Sequence, residues 1–405
     1  MKKRYDSYKP SGIDWIGDIP SHWEIQRLKF GMNLINGRAY LQPELLSEGK
    51  YRILRVGNFF TNDSWYYSDM ELEDNKYCSK GDLLYAWSAS IGPYIWNEEK
   101  VIFHYHIWKI GLSGKMDKKY SFYLLDVITK VKLNDMHGSA MQHLTMQNMN
   151  NSDIIVPPLA EQEAIAAWLD EKCEDIDAAI AKVDREIELI DELKQSEISR
   201  VVTRGLNPDT PLRPSGIDWI GDIPKHWIIC KVKHLVKFNS GDTITSEQFI
   251  DNAEFPVYGA NGYRGQFDKY NFENQRILIG RVGALCGNVH YTNEKIWCSE
   301  HALISSKAFG GLSFDYKWMC LLFESMNLNQ YGGGSAQPVI ASSVIENLSI
   351  ILPPLSEQQA IADYLDKKCA VIDGLKAKLT KKRETLTELR QSIISEVVTG
   401  KRKII

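Results

Sequence analysis

Ten letters, SGIDWIGDIP, occur twice in this chain, at residues 11–20 and again at 215–224. His22 and Trp23 follow the first copy, His226 and Trp227 the second. A second pair of segments repeats further on, PPLAEQEAIAAWLDEKC at 157–173 against PPLSEQQAIADYLDKKC at 353–369. Their likeness continues through ELKQS (192–196) against ELRQS (388–392), and VVT (201–203) against VVT (397–399). An internal repeat constrains a fold before any residue-level reading does. The chain is two half-units of one plan: motif, variable block, long helix. The blocks between the shared segments, about 24–156 and 228–352, look little alike. A repeated frame with different contents suits one scaffold presenting two surfaces.

The shared tails have helical spacing. Ile165, Leu169, Cys173, Ile176, Ile180, Val183, Ile187 and Ile190 fall three or four apart, as in a coiled-coil seam. The second tail offers Ile361, Leu365, Cys369, Ile372, Leu375, Leu379, Leu386 and Leu389. Pro158 and Pro354 mark the starts, and Gly205 and Gly400 the stops. Gly374 weakens the second helix slightly. A helix of about 45 residues is roughly 65–70 Å long. Residues 159–205 carry 6 basic and 13 acidic side chains; residues 355–405 carry 11 and 7. Opposite charge favours pairing of the two helices with each other over packing of each on its own domain.

The variable blocks read as mixed α/β. YRILRV (51–56), VIFHYHIWKI (101–110), RILIGRVG (276–283) and KIWCSEHALIS (295–305) are strand-like, and 120–132 and 314–326 are short amphipathic helices. With 405 residues, two or more domains are expected. No stretch approaches the roughly 20 apolar residues of a membrane span. The basic start, MKKRYDSYKP, has no apolar run after it, so a cytoplasmic location is expected. Seven scattered cysteines suit reduced thiols.

The order SGIDWIGDIPxHW, variable domain, GS-x-Q type loop, PPLxEQxxIAxxLD and long helix, given twice, resembles the specificity subunit of Type I restriction–modification systems. The resemblance implies an α/β (α+β) pseudo-two-fold repeat, with two globular target-recognition domains joined by two long antiparallel coiled-coil helices. It implies domain bounds of 1–156 for the first recognition domain and 157–205 for the first spacer helix. Residues 206–352 then form the linker, repeated motif and second domain, and 353–405 the second spacer helix. It further implies that each domain reads one half of a bipartite site in double-stranded DNA and that the helices act as a ruler. Two modification (methyltransferase) subunits would dock and methylate adenine, restriction subunits would join them, and the whole would serve phage defence.

Base edges are read by Arg, Lys, Asn and Gln, and phosphates by Lys, Arg, Ser and backbone amides. Loop candidates in the first domain are Arg38, Tyr40, Arg55, Asn58, Trp87, Ser88, Gln142 and His143. Those in the second are Asn261, Tyr263, Arg264, Arg281, Ser335 and Gln337. Gln142 lies in GSAMQHL (138–144) and Gln337 in GSAQPVI (334–340), the first with one more residue before its glutamine. The plainer alternative is that each candidate solvates a turn. The net charge is −4, with 15 basic and 15 acidic residues over 22–156, and 10 and 11 over 226–352. DNA binding by this chain alone is therefore expected to be weak and salt-sensitive. Trp15, Trp23, Trp219 and Trp227 read as packing residues of the frame. Asp14 and Asp18, repeated at Asp218 and Asp222, read as structural or docking groups.

The chain has no GxxxxGK[ST], GLSGKM (111–116) lacking the spacing, and no Asp/Asn-Pro-Pro-Tyr/Phe motif of adenine methylases. Glu98, Glu99 and Lys100 are adjacent, as in a turn. No catalytic residue and no cofactor is expected. Cys286, His290, Cys298 and His301 have a zinc-like C-x3-H-x7-C-x2-H spacing, but lie in strand-like sequence with no counterpart in the first half. Buried thiols and ordinary histidines are the preferred reading, so no metal is expected. His104 and His106 would share one face of a strand as structural residues. A protein-binding coiled-coil scaffold, or a nuclease or zinc hydrolase, are the competing classes.

Overall fold

The computed structural model describes residues 4–60, 62–135, 144–308, 312–333 and 338–404. The chain divides into two compact units, one made of Met1–Val183 with Lys382–Ile405, the other of Asp184–Lys381.

In the first unit the ten-letter motif is a small β-hairpin. Tyr8–Pro10 pairs antiparallel with Asp18–Pro20. The turn closes where Ser11 N–H donates to the Gly17 carbonyl (3.0 Å) and Ile13 N–H to Ser11 Oγ (3.1 Å). Gly12 and Gly17 have φ of +68° and +72°, a backbone region that a Cβ disfavours. Ile16, Ile19 and Trp23 are thereby driven into the core. Trp15 is only half-buried, and Asp14 and Asp18 are exposed.

The variable block leaves and rejoins this frame through adjacent strands, Glu24–Arg27 pairing with Asp153–Val156. Inside it an antiparallel sheet runs in the order Met32–Asn36, Ile107–Leu112, Leu83–Ala86, Gly92–Ile95. A second sheet holds Tyr66–Ser68, Tyr51–Leu54, Val101–Phe103 and Tyr77–Cys78, with Tyr51–Leu54 and Val101–Phe103 parallel. The helix Lys118–Asp135 packs beside the first sheet.

The second unit repeats this topology. Its motif hairpin pairs Leu212–Pro214 with Asp222–Pro224, and Ile228–Lys231 pairs with Ser349–Leu352. Its antiparallel sheet is ordered Val236–Ser240, Ala302–Lys307, Arg276–Gly280, Val289–Thr292. Its second sheet places Phe255–Gly259 between Gly262–Phe267 and a parallel Trp297–Cys298. The helix is Tyr316–Ser325. Two sequences with little in common therefore reach one fold, because burial asks only that the central strands, such as Leu83–Ala86 and Arg276–Gly280, be largely apolar, and not which apolar residue stands where.

The runs 101–110 and 295–305 are each two strands rather than one. Val101–Phe103 and Ile107–Leu112 belong to different sheets, as do Trp297–Cys298 and Ala302–Lys307. His104 and His106 thus lie in a crossover between sheets, not on one strand face. Continuous apolar character hides such a break, since each strand is buried on both faces.

The long helices are Leu159–Arg204, 46 residues, and Leu355–Val398, 44 residues. At 1.5 Å per residue they extend about 69 and 66 Å. They pair antiparallel. In the second unit Lys376 Nζ lies 2.7 Å from Asp191 and Lys194 Nζ 2.7 Å from Asp373, so one helix advances as the other retreats. In the first unit Arg390 Nε donates to Asp177 Oδ1 (2.9 Å). Leu375 and Leu389 are exposed rather than in the seam. Their neighbours Lys376 and Arg390 are the better-covered positions and carry the ion pairs. A search for apolar letters slips by one residue wherever a heptad position holds a cation.

Candidate nucleic-acid interface

Two neighbouring side chains at the start of each long helix tie it to the rest of its unit, the first to the repeated motif and the second to the variable block. Glu161 takes both partners of the His-Trp pair, His22 Nε2 at 2.6 Å from Oε1 and the buried Trp23 Nε1–H at 3.0 Å from Oε2. Glu357 holds His226 and Trp227 at the same 2.6 and 3.0 Å. The next residue completes the work. Gln162 receives Asp117 N–H (2.8 Å) and donates to the Pro157 carbonyl (2.8 Å), while Gln358 receives Asp315 N–H and donates to Pro353, each at 2.7 Å. The Glu-Gln dipeptide of PPLxEQ is thus the functional pair of the frame. Its repetition together with the His-Trp pair is the signal in the sequence that marks it.

Held in that way, one edge of each block gathers its loops around a crossover tripeptide, His104–His106 or Ser299–His301. In the first unit, Arg38 N–H donates to Phe103 O (3.0 Å), His104 N–H to Leu54 O (2.9 Å) and Trp87 N–H to His106 O (3.1 Å). Leu144 N–H then donates to Trp87 O (3.3 Å). In the second, Asp242 N–H donates to Cys298 O (2.9 Å), Ser299 N–H to Tyr258 O (2.8 Å) and Arg281 N–H to His301 O (2.8 Å). Ile340 N–H donates to Arg281 O (2.9 Å). The approach is close enough to exclude a side chain. A Cβ on Gly37 would lie 2.3 Å from His104 O, and one on Gly241 2.2 Å from Cys298 O.

Several sequence-predicted candidates meet at these edges. Arg38 follows Gly37, but its guanidinium is held by Glu44 in two bonds of 2.9 and 2.7 Å, which pull the Glu44 carboxyl below the usual range. Tyr40 is half-buried and stacks on His104 at 6.3 Å. Arg55 is exposed, its guanidinium 5.2 Å from the Tyr66 ring. Asn58 organises its own loop, accepting from Arg55 N–H and donating to the Asn62 and Ser64 carbonyls. Trp87 spends its indole N–H on Tyr105 O (2.7 Å) and stacks on Trp108. Ser88 is half-buried in the bend that follows.

In the second unit, Asn261 Oδ1 accepts from Asn288 (3.1 Å), and Tyr263 and Arg264 are exposed on the hairpin strand Gly262–Phe267. Arg281 Nη1 donates to Ser240 Oγ (3.1 Å), with Nε buried and without a hydrogen-bond acceptor among the described residues. Gln142, His143, Ser335 and Gln337 lie outside the described residues.

Many cations of the first block are already paired, Arg52 with Glu98, Lys109 with Asp82 and Lys50 with Glu71. Burial, reinforced by His106 and Arg55, lowers the His104 pKa to about 4. Cys286 and Cys298 sit in separate apolar clusters, and among the described residues no group of three or more His, Cys, Asp or Glu is placed to hold a metal ion. Burial pushes Cys298 up to about 12. Among the described residues no helix is long and apolar enough to cross a membrane.

The model of the Type I restriction modification DNA specificity domain matches twice, over residues 20–189 and 224–382, and the chain belongs to that family. Among relatives, the MjaVIII specificity subunit of Methanocaldococcus jannaschii is 23% identical over 95% of this chain and 94% of its own length. The EcoprrI specificity subunit of Escherichia coli is 35% identical, but over 33% of each protein. A chain solved in work on complex assembly and conformational transition of the type I R-M system superposes with a TM-score of 0.69 at 16% identity, covering 94% of this chain and 98% of that one.

Proposed function

We propose that this protein is the DNA-recognition subunit of a Type I restriction–modification complex. Each half reads one part of a bipartite site in double-stranded DNA, and the long helices set the unread gap. One observation carries the reading: two blocks of unlike sequence share one topology and present their loops around the same crossover, in a family defined by DNA specificity. That is what two different half-sites require of one scaffold.

In this reading residues 1–156 and 206–352 are the recognition domains with their linker, and 157–205 and 353–405 the spacers. Arg55, Tyr263 and Arg264, with exposed side chains, are the strongest of the loop candidates for DNA contact. Two modification subunits dock on the coiled coil, restriction subunits join them, and the complex works in the cytoplasm. The chain itself contributes recognition and no catalysis.

The test is co-expression with the cognate modification subunit, followed by genome-wide mapping of N6-methyladenine. A single bipartite motif with a fixed gap is expected, and exchanging residues 228–352 for another block changes one half of it alone. A complex that assembles but leaves no methylated motif sinks this reading in favour of a protein-binding scaffold.

A further inference from the structure

The crossover tripeptides are held by corresponding backbone bonds in the two units but read His104, Tyr105, His106 in one and Ser299, Glu300, His301 in the other, with Tyr105 and His301 partly exposed. We infer that they supply base-reading groups, Tyr105 in the first domain and His301 in the second. The inference rests on the DNA-recognition reading above and names residues within it.

Their backbones are pinned. His104 N–H and Tyr105 N–H donate to Leu54 O and Arg38 O, and His106 O accepts from Trp87. Ser299 N–H and His301 O are bonded in the corresponding way. A side chain on such a base is oriented before DNA arrives, so little ordering entropy is lost on contact.

The flanking residues are supports. His104 stacks on Tyr40, and His106 packs edge-on against Trp87 at 4.9 Å. Tyr105 lies over His106 at 4.0 Å and remains 38% exposed. It is an aromatic ledge tipped by a hydroxyl that can both donate and accept.

In the second domain Ser299 is buried and Arg281 stands where Trp87 stands in the first. His301 keeps 45% of its side chain exposed, with Nδ1 3.2 Å from Glu300 Oε1. Nδ1 is buried and has no hydrogen-bond partner of good geometry among the described residues. A neutral imidazole nitrogen can accept or donate a hydrogen bond, and the base edges of the major groove offer partners for both.

The experiment is methylation mapping of the assembled complex carrying Tyr105→Ala, Tyr105→Phe, His301→Ala or His301→Gln. Tyr105→Ala is expected to relax one base position in one half-site, by about ten- to a hundredfold in discrimination, with the other half unchanged. His301→Ala does the same in the opposite half. Tyr105→Phe and His301→Gln keep the packing volume and decide the matter if the alanine variants do not fold. A bipartite wild-type motif with unaltered base requirements in all folded variants overturns the inference, as does a uniform loss of methylation across all sites. Absence of any wild-type motif overturns the underlying recognition reading instead.

Discussion

The first and second variable blocks differ in sequence almost everywhere, yet the same two strands carry each block out of the frame and back, and the same four-stranded antiparallel sheet follows, with the second sheet of four strands in one block and three in the other. What differs is local. The crossover holds His104, Tyr105 and His106 in one block and Ser299, Glu300 and His301 in the other. Trp87 in the first is replaced by Arg281 in the second, on equivalent backbone bonds. The frame, by contrast, is duplicated down to the distances of its Glu-His-Trp clamp. Backbone pairing and apolar central strands fix the shared architecture, while the side chains on the pinned crossover turns differ between the blocks.

The sharpest break of this symmetry is at the helix ends. Gly400 has φ +72°, and a Cβ there would fall 2.4 Å from Pro20 Cδ and 3.0 Å from Trp23. Gly205 has φ +77°, but its Cβ would meet only Trp227, at 3.3 Å. Gly400→Ala is expected to cost about 3 kcal/mol or more, and Gly205→Ala about 1–2 kcal/mol, in chemical unfolding. Equal losses would show that the two sockets are not distinguished in solution.

Next in size are the clamps, whose distances match but whose carboxylates differ in exposure, 16% for Glu161 and 39% for Glu357. Glu161→Ala and Glu357→Ala each leave a buried indole N–H unpaired, at about 1–3 kcal/mol. A difference between them larger than about 1 kcal/mol breaks the equivalence.

His104 has no counterpart in the second block, where Ser299 stands. Its folded pKa of about 4 lies below the ordinary 6.5, so the unfolded chain binds the extra proton first. Stability of the first unit is therefore present above pH 6.5 and lost as pH falls through the window down to about 4. His104→Gln should flatten that part of the pH–stability curve. An unchanged slope would assign the acid sensitivity elsewhere.

Smallest are the cations of the helix pair. Lys376→Met and Arg390→Met replace partly exposed ion pairs with apolar side chains at covered positions, and each should shift stability by less than about 1 kcal/mol. The wild-type pairs should also lose their contribution as salt is raised. A loss of several kcal/mol in either variant would mean that the pair is buried more deeply than its geometry indicates.

Much of this was legible from the letters. Helix ends at Pro158, Pro354, Gly205 and Gly400, the pairing of an acidic with a basic helix, and the packing role of Trp23 and Trp227 all follow from spacing and charge. The crossover did not, because 101–110 and 295–305 are apolar on both sides of the break and carry no Gly or Pro to announce it. Nor did the involvement of Arg38 with Glu44 or of Asn58 with its own loop. Residue type tells what a side chain can bond, and only its neighbours tell whether those bonds are already made.

By itself, then, the sequence determined the duplication, the two long helices and their pairing, since periodicity and charge act along the chain. The tertiary structure decided which loops share an edge and which of their side chains are spent internally. It also decided that each compact unit takes the closing turns of a long helix from the other half of the chain, Lys382–Ile405 completing the unit begun at Met1. Those outcomes depend on contacts between residues far apart in the chain, such as the Tyr8 hydroxyl with the Gly400 carbonyl at 3.2 Å, and no local pattern records them.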